Sequence, residues 1–283
     1  MGGRDAPLIS VIVAVFNGKA TLQQCIDSFS QQSYANKELI VIDGGSTDGS
    51  VDVLMANRDA LQYWVSEPDR GIYSAWNKAL DHARGDWICF LGADDYFWSG
   101  DALTLMSEQL QQLPSHIEVA YGEIRVVNAH GMVIHPAGVP WASVSRRFRQ
   151  LMSIPHQGTM HRRSLFQRHG RFDEAFRIAG DYELLLRELK TADAFFVPNV
   201  VVSAMRQGGG ISSTPGNAWI VLKETRRAQL KNGLYLPGIY WLLAVGRLGV
   251  RFVLWGVIGE QATRRALDMG RRLLGLPPFW TRT

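Results

Sequence analysis

Cysteine is almost missing from this chain: Cys25 and Cys89 are the only two in 283 residues, and each sits inside an apolar run. That excludes a disulfide-stapled scaffold. With no C-x-x-C pair and no Cys/His cluster, it also excludes a zinc-ribbon type of site. The expectation is reduced, packed thiols in a cytosolic protein. Residues 1–6 are polar and lack the apolar core of a signal peptide, which adds to the expectation of a cytoplasmic address. There is no internal repeat and no low-complexity tract, so a solenoid array is excluded. The glycines at 44, 45 and 49 are not followed by Gly-Lys-Ser/Thr, so the chain has no P-loop.

What is present is an apolar share of 46%, enough for a full core without crosslinks. The length suits one large domain with or without an appendage. The formal charge of +4 is unevenly spread: residues 219–283 hold 11 Lys/Arg against 3 Asp/Glu, leaving 19 against 23 before them. A nucleic-acid binder would spread its basic residues over a recognition surface. A tail mixing Arg with Trp, Leu and Val reads instead as an element for an anionic membrane surface, and no nucleic-acid partner is expected.

The first half alternates short apolar runs with helical spacing. Leu8 to Phe16 and Leu39 to Ile42 read as strands, the first of them buried on both faces. Gln62 to Val65 and Trp87 to Leu91 read as two more, with helices around Leu22–Phe29, Tyr73–Ala83 and Leu103–Leu113 between and after them. The pattern predicts an α/β fold with a mostly parallel sheet covered by helices. Ligands in such sheets lie beyond the carboxyl ends of the strands, where Asp43 and Asp94 both fall. Further on, Val119–Val127 and Met132–His135 read as a hairpin, and Asp181 opens a helix carrying Leu184, Leu185 and Leu189. Ala194 to Met205 is strand-like, and 207–217 (QGGGISSTPGN) reads as a linker or lid.

Five segments, in order from Leu8 to Ser213, resemble the family 2 glycosyltransferases of GT-A fold: ISVIVAVFNG, IDGGSTDGS, SEPDRGIYSAWNKAL, FLGADD and AGDYELLLREL. Within that family the chain is most similar to the small non-processive enzymes of bacterial polysaccharide assembly, because it lacks the Gln-x-x-Arg-Trp element of the processive polymerases. The resemblance implies a GT-A catalytic domain over residues 6–215 and sets apart a basic, apolar helical tail over 216–283.

It also implies roles. Asp43 would recognise the base of a donor nucleotide, with UDP the default; an Asx-turn or helix cap is the local alternative. Asp69 would lie near the nucleotide, and Arg70 would reach a phosphate or else form a surface ion pair. Asn77 and Lys78 are second-tier candidates. The family's Asp-x-Asp metal motif reads Gly92-Ala93-Asp94 here, so the first carboxylate is replaced. Asp94 matches the retained ligand for Mn²⁺ or Mg²⁺, and Asp95 stands beside it. Asp181 matches the general base of an inverting transfer, against a helix N-cap as the alternative. His156 would meet the acceptor or the diphosphate, unless it is a structural histidine. The segment from Gly208 to Ser212 would close over the donor or serve as a linker.

Ile239 to Ile258 has the length of a membrane span, but Arg247 and Arg251 stand in its middle, and each costs about 2.5–3.5 kcal/mol at a bilayer centre. An in-plane helix pair on the inner face of the cell membrane fits that pattern, beside a helix packed on protein or a dimer contact. The whole predicts an inverting, metal-dependent transfer to a saccharide or lipid-linked acceptor. A nucleotidyltransferase and an inactive nucleotide-sugar-binding subunit of the same fold are the alternatives.

Overall fold

β1 (Ile9–Val15) runs through the middle of the molecule and is buried on both faces. Its alternate side chains divide between two cores. Ile9, Val11, Val13 and Val15 join one cluster, and Ile12 joins the other, as the period of two along a strand requires. The structure is a computed structural model that describes residues 6–207, 217–273, 275 and 281.

β2 (Lys37–Asp43) and β4 (Trp87–Gly92) pair with β1 in parallel on either side, and β3 (Tyr63–Ser66) extends β2 in the same sense. Helices α1 (Lys19–Ser30), α2 (Ser50–Ala56) and α3 (Ile72–Leu80) connect these strands. This half is the parallel sheet expected from the continuous apolar runs. Beyond β4 the pairing becomes mixed. β8 (Thr159–Arg162) lies antiparallel to β4 and to β6 (Val119–Val127). β9 (Phe195–Arg206) runs parallel to β6, and the two-residue β5 (Tyr96–Phe97) closes the edge. The predicted hairpin is present as β6 and β7 (Val133–Ala137), turning through Asn128–Gly131.

α4 (Ala102–Leu110) covers the face carrying the first cluster. α7 (Gly180–Leu189) buries Leu184, Leu185, Leu186 and Leu189 in the second. α5 (Trp141–Phe148) and α6 (Arg163–His169) complete that side. The predicted linker at 208–216, with its Gly208–Ser212 segment and the expected domain boundary, lies outside the described residues. α8 (Ala218–Lys231) follows it and packs on α7, burying Leu222, Thr225, Ala228 and Gln229.

α9 (Ile239–Ile258) behaves differently. It touches α8 through Trp241, whose indole donates to the Leu222 carbonyl at 3.1 Å, and through Phe252 stacked on Trp219. Only Leu248 of its 20 residues is buried. α10 (Glu260–Leu273) packs back along it after Gly259. Among the described residues α9 is the one helix long and apolar enough to cross a membrane by length and composition.

Candidate active site

The parallel register puts the end of β2 and the end of β4 on one rim, one on each side of β1: Val15 stands opposite Asp43 and Ala14 opposite Gly92. At about 4.8 Å per strand step, the two corners are roughly 10 Å apart.

At the β2 corner Asp43 is fully buried. Its carboxylate accepts from the Gly45 and Ser46 amides at 3.1 and 2.9 Å and from the Ser66 and Ser46 hydroxyls at 2.6 and 2.5 Å. The turn is stitched to the β1–α1 loop as well. The Asn17 amide donates to Ser46 Oγ, the Thr47 amide to Asn17 Oδ1, and the Lys19 amide to Asp48. Asp69 lies against this turn, with Oδ2 2.8 Å from where a Cβ on Gly44 would stand. Its Oδ1 accepts the Gly71 amide ahead of α3. Arg70 is exposed and pairs with Glu174 at 2.7 Å. Asn77 joins the same connection by donating to the Phe172 carbonyl and to Glu174, while Lys78 pairs with Glu67.

At the β4 corner two carboxylates crowd one glycine. Asp94 Oδ1 and Asp95 Oδ2 each lie 2.7 Å from the position of a Cβ on Gly92, so a side chain there would displace both. Asp95 is 3% exposed, and its Oδ1 accepts the Arg206 amide at 2.9 Å. Burial, with Asp94 next to it, pushes the Asp95 carboxyl up to about 7. Burial raises Asp94 too. Arg206 is the nearby cation, but its guanidinium bonds the Asp94 carbonyl, the Ala129 carbonyl and Gln24. Two hard oxygen donors short of counter-charge fit a divalent cation of the Mg²⁺ or Mn²⁺ kind.

Asp181 stands at the second position of α7, whose N-cap is Ala179, so it is not the N-cap itself. Its Oδ1 accepts the Tyr182 amide at 2.8 Å and lies 3.4 Å from the Tyr73 hydroxyl. No hydrogen bond to Oδ2 is found among the described residues. Burial pushes this carboxyl up to about 6. Tyr73 is in the first turn of α3, just after Asp69 and Gly71, which ties Asp181 to the Asp69 side of the rim.

His156 is not at the rim surface. It is 6% exposed and packs among Trp76, Phe90 and His161, with its Nε2 unpartnered. Burial pushes the ring down to about 3, so it is neutral. A separate group, Glu118, His169 and Glu188, has ligand atoms mutually within 4.8 Å. It belongs to the opposite end of the sheet, where Val119 pairs with His161 beside the start of β4. Arg168 spans its two carboxylates at 3.1 and 3.7 Å.

The profile of glycosyl transferase family 2 matches residues 10–170. The chain belongs to this family. A PGL/p-HBAD biosynthesis glycosyltransferase of Mycobacterium tuberculosis is 30% identical over 216 residues, covering 74% of this chain and 80% of that one. An uncharacterised glycosyltransferase of the same organism is 35% identical over 185 residues, covering 65% and 69%. Among solved structures, S. aureus TarS 1–349 in complex with UDP-GlcNAc superposes with a TM-score of 0.61 at 18% identity, covering 78% of this chain and 66% of that one. The mannosyltransferase PcManGT of Pyrobaculum calidifontis, in complex with GDP-Man and Mn²⁺, gives 0.60 at 17% identity and covers 98% and 83%. The fold of this family 2 glycosyltransferase is therefore GT-A-like.

The structure gives parts to residues that the sequence reading had not singled out. Ser66 holds Asp43, Arg206 closes over Asp94 and Asp95, and Tyr73 stands beside Asp181. Arg206 had one local signal, as the only charged residue of its strand, at that strand's end. Ser66 and Tyr73 lie inside the SEPDRGIYSAWNKAL segment, and their place in it was their only signal.

Proposed function

We propose that this glycosyltransferase moves a sugar, with inversion, from a nucleoside-diphosphate donor to a hydroxyl of a lipid-linked saccharide. The setting would be cell-surface polysaccharide synthesis at the inner face of the cell membrane, with UDP as the default nucleotide. The observation that carries the reading is the convergence of Asp94 and Asp95 on the rim that also holds Asp43 and Asp69. Two fold neighbours solved with UDP-GlcNAc and with GDP-Man plus Mn²⁺ support the donor class.

In this reading Asp43 and its turn receive the base of the nucleotide, and Asp69 lines the same pocket. Asp94, with Asp95 beside it, would hold a divalent cation that neutralises charge on the departing diphosphate. The acceptor oxygen bonds to the anomeric carbon as the bond to the diphosphate oxygen breaks, and the diphosphate leaves with that electron pair. Asp181 takes the acceptor proton on its open Oδ2. A base of this kind contributes about 10²–10⁴-fold. Asp181→Asn is expected to lower kcat by that order with donor KM nearly unchanged, and NMR of the product is expected to show the inverted anomer. Wild-type kcat in Asp181→Asn, or a retained anomer, overturns the mechanism.

The membrane part of the reading rests on α9. Its exposed face includes Ile239, Leu242, Val250, Val253 and Val257, and α10 brings Arg264, Arg265, Arg271 and Arg272 alongside. A helix lying in the headgroup layer buries such apolar residues, and each Arg near anionic lipid adds about 1 kcal/mol that fades with salt. The full chain should float with phosphatidylserine-containing liposomes, more weakly at high salt, while a chain ending at Gly233 keeps α8 and stays in solution. Equal behaviour of the two chains overturns membrane docking.

A further inference from the structure

Asp181 sits at the end of a short run that enters α7, and that run is held from outside the motif. Glu224, on α8, accepts three consecutive backbone amides: Arg177 on Oε1 at 2.7 Å, then Ile178 and Ala179 on Oε2 at 2.8 and 2.9 Å. From the other side the Tyr73 hydroxyl donates to the Ile178 carbonyl at 2.5 Å and accepts the Gly180 amide at 2.8 Å. Its single proton therefore lies closest to Ile178, with Asp181 Oδ1 a longer second partner at 3.4 Å.

We infer that Glu224 is the positioning residue for Asp181, clamping residues 177–179 so that the carboxylate projects toward the acceptor. The inference rests on Asp181 as the general base. A carboxylate suits this place because amides at a helix start lack intrahelical acceptors and carry the positive end of the helix dipole. α8 is itself fixed, through buried Leu222, Thr225 and Ala228, so the clamp transmits a rigid reference. It also means that the helix leading into exposed α9 sets the position of the base. The charged or titratable groups facing Asp181 are Tyr73 from α3 and Glu224 from α8.

Glu224→Gln tests this in the full chain, since an amide offers one acceptor where the amides meet two. A displacement of about 1 Å at a reacting group costs on the order of 10²-fold, so kcat should fall at least tenfold. KM for the UDP- or GDP-sugar that the wild type turns over should stay within twofold. ¹³C NMR of the Asp181 carboxyl should show its titration, near pH 6 in the wild type, moving to lower pH once the neighbouring negative charge is gone. Tyr73→Phe, which keeps the ring packed on Trp76 and Phe172, should reproduce the kcat loss and serves if Glu224→Gln does not fold. Wild-type kcat and titration in both variants, with Asp181→Asn inactive, overturns the clamp and leaves the base in place. A lowered melting temperature with wild-type kcat makes Glu224 purely structural and overturns it too. Wild-type kcat in Asp181→Asn removes the base reading and the clamp with it.

Discussion

The two corners of the rim use the same side chain in opposite ways. At the end of β2 the Asp43 carboxylate is saturated with four donors from its own turn and from β3. At the end of β4 Asp94 and Asp95 crowd Gly92, and one backbone amide is the hydrogen bond given to their carboxylates by Arg206. A satisfied buried carboxylate builds structure, because the donors it receives tie its own turn to the end of β3. A crowded pair short of counter-charge stores an electrostatic cost that a bound cation would relieve. The first corner is a preformed wall, and the second has the donors that a cation would need.

The largest effect that could break this contrast is on turnover. A cation at a departing diphosphate contributes several kcal/mol to the transition state. Asp94→Asn, or chelation of the wild type by EDTA, is therefore expected to lower transfer by about 10³-fold. Circular dichroism should stay native in both cases. Full activity in EDTA would leave the β4 corner without its cation.

Next comes stability, where one substitution should carry opposite signs at the two corners. Asp43→Asn turns an NH₂ toward donors and should destabilise by about 1–3 kcal/mol in urea unfolding. Asp95→Asn keeps an oxygen for the Arg206 amide and removes a crowded charge. The Asp95 carboxyl is held at about 7 against an ordinary 3.8, so the folded chain binds its proton more tightly than the unfolded one. Stability from this group is complete below pH 4 and declines as pH rises toward 7. In chelator, the Asn variant should match the wild type near pH 4 and exceed it by on the order of 1–3 kcal/mol above pH 7. Losses of equal sign at both positions would erase the distinction.

Much of this arrangement was readable from the residues, for physical reasons that also mark where reading stops. Strands buried on both faces, such as β1 and β4, leave continuous apolar runs, and their ends place Asp43 and Asp94 on one rim. β8 is short and half polar (TMHR), and its pairing with β4 and β6 depends on residues far apart in the chain. That is why β8 has no signature in the sequence, whereas the β6–β7 hairpin and β9 do. Motif residues announce themselves locally, but their supports do not. Arg206 reaches Asp95 across 111 residues and Glu224 reaches Ala179 across 45. The enclosure of His156 likewise comes from Trp76 and Phe90 on other elements, which nothing around Pro155-His156-Gln157 reveals.

The smallest expected effect sharpens the contrast most, because it asks what Gly92 is for. The missing first carboxylate of the family's Asp-x-Asp motif invites the view that the β4 corner is a weakened site, one that a restored side chain would improve. The geometry says otherwise, since the space where that side chain would begin is already taken by Asp94 Oδ1 and Asp95 Oδ2, both at 2.7 Å. Asp94 is partly exposed and can swing away, whereas Asp95 is buried and must push against its surroundings. Gly92→Ala should therefore cost only about 1 kcal/mol in urea unfolding, yet weaken Mn²⁺ binding by calorimetry, because it separates the two carboxylates. Gly92→Asp should bind Mn²⁺ no more tightly than the wild type despite its added charge. Tighter binding in Gly92→Asp would mean that Asp95 had yielded its place and that the wild-type corner is the weakened site after all.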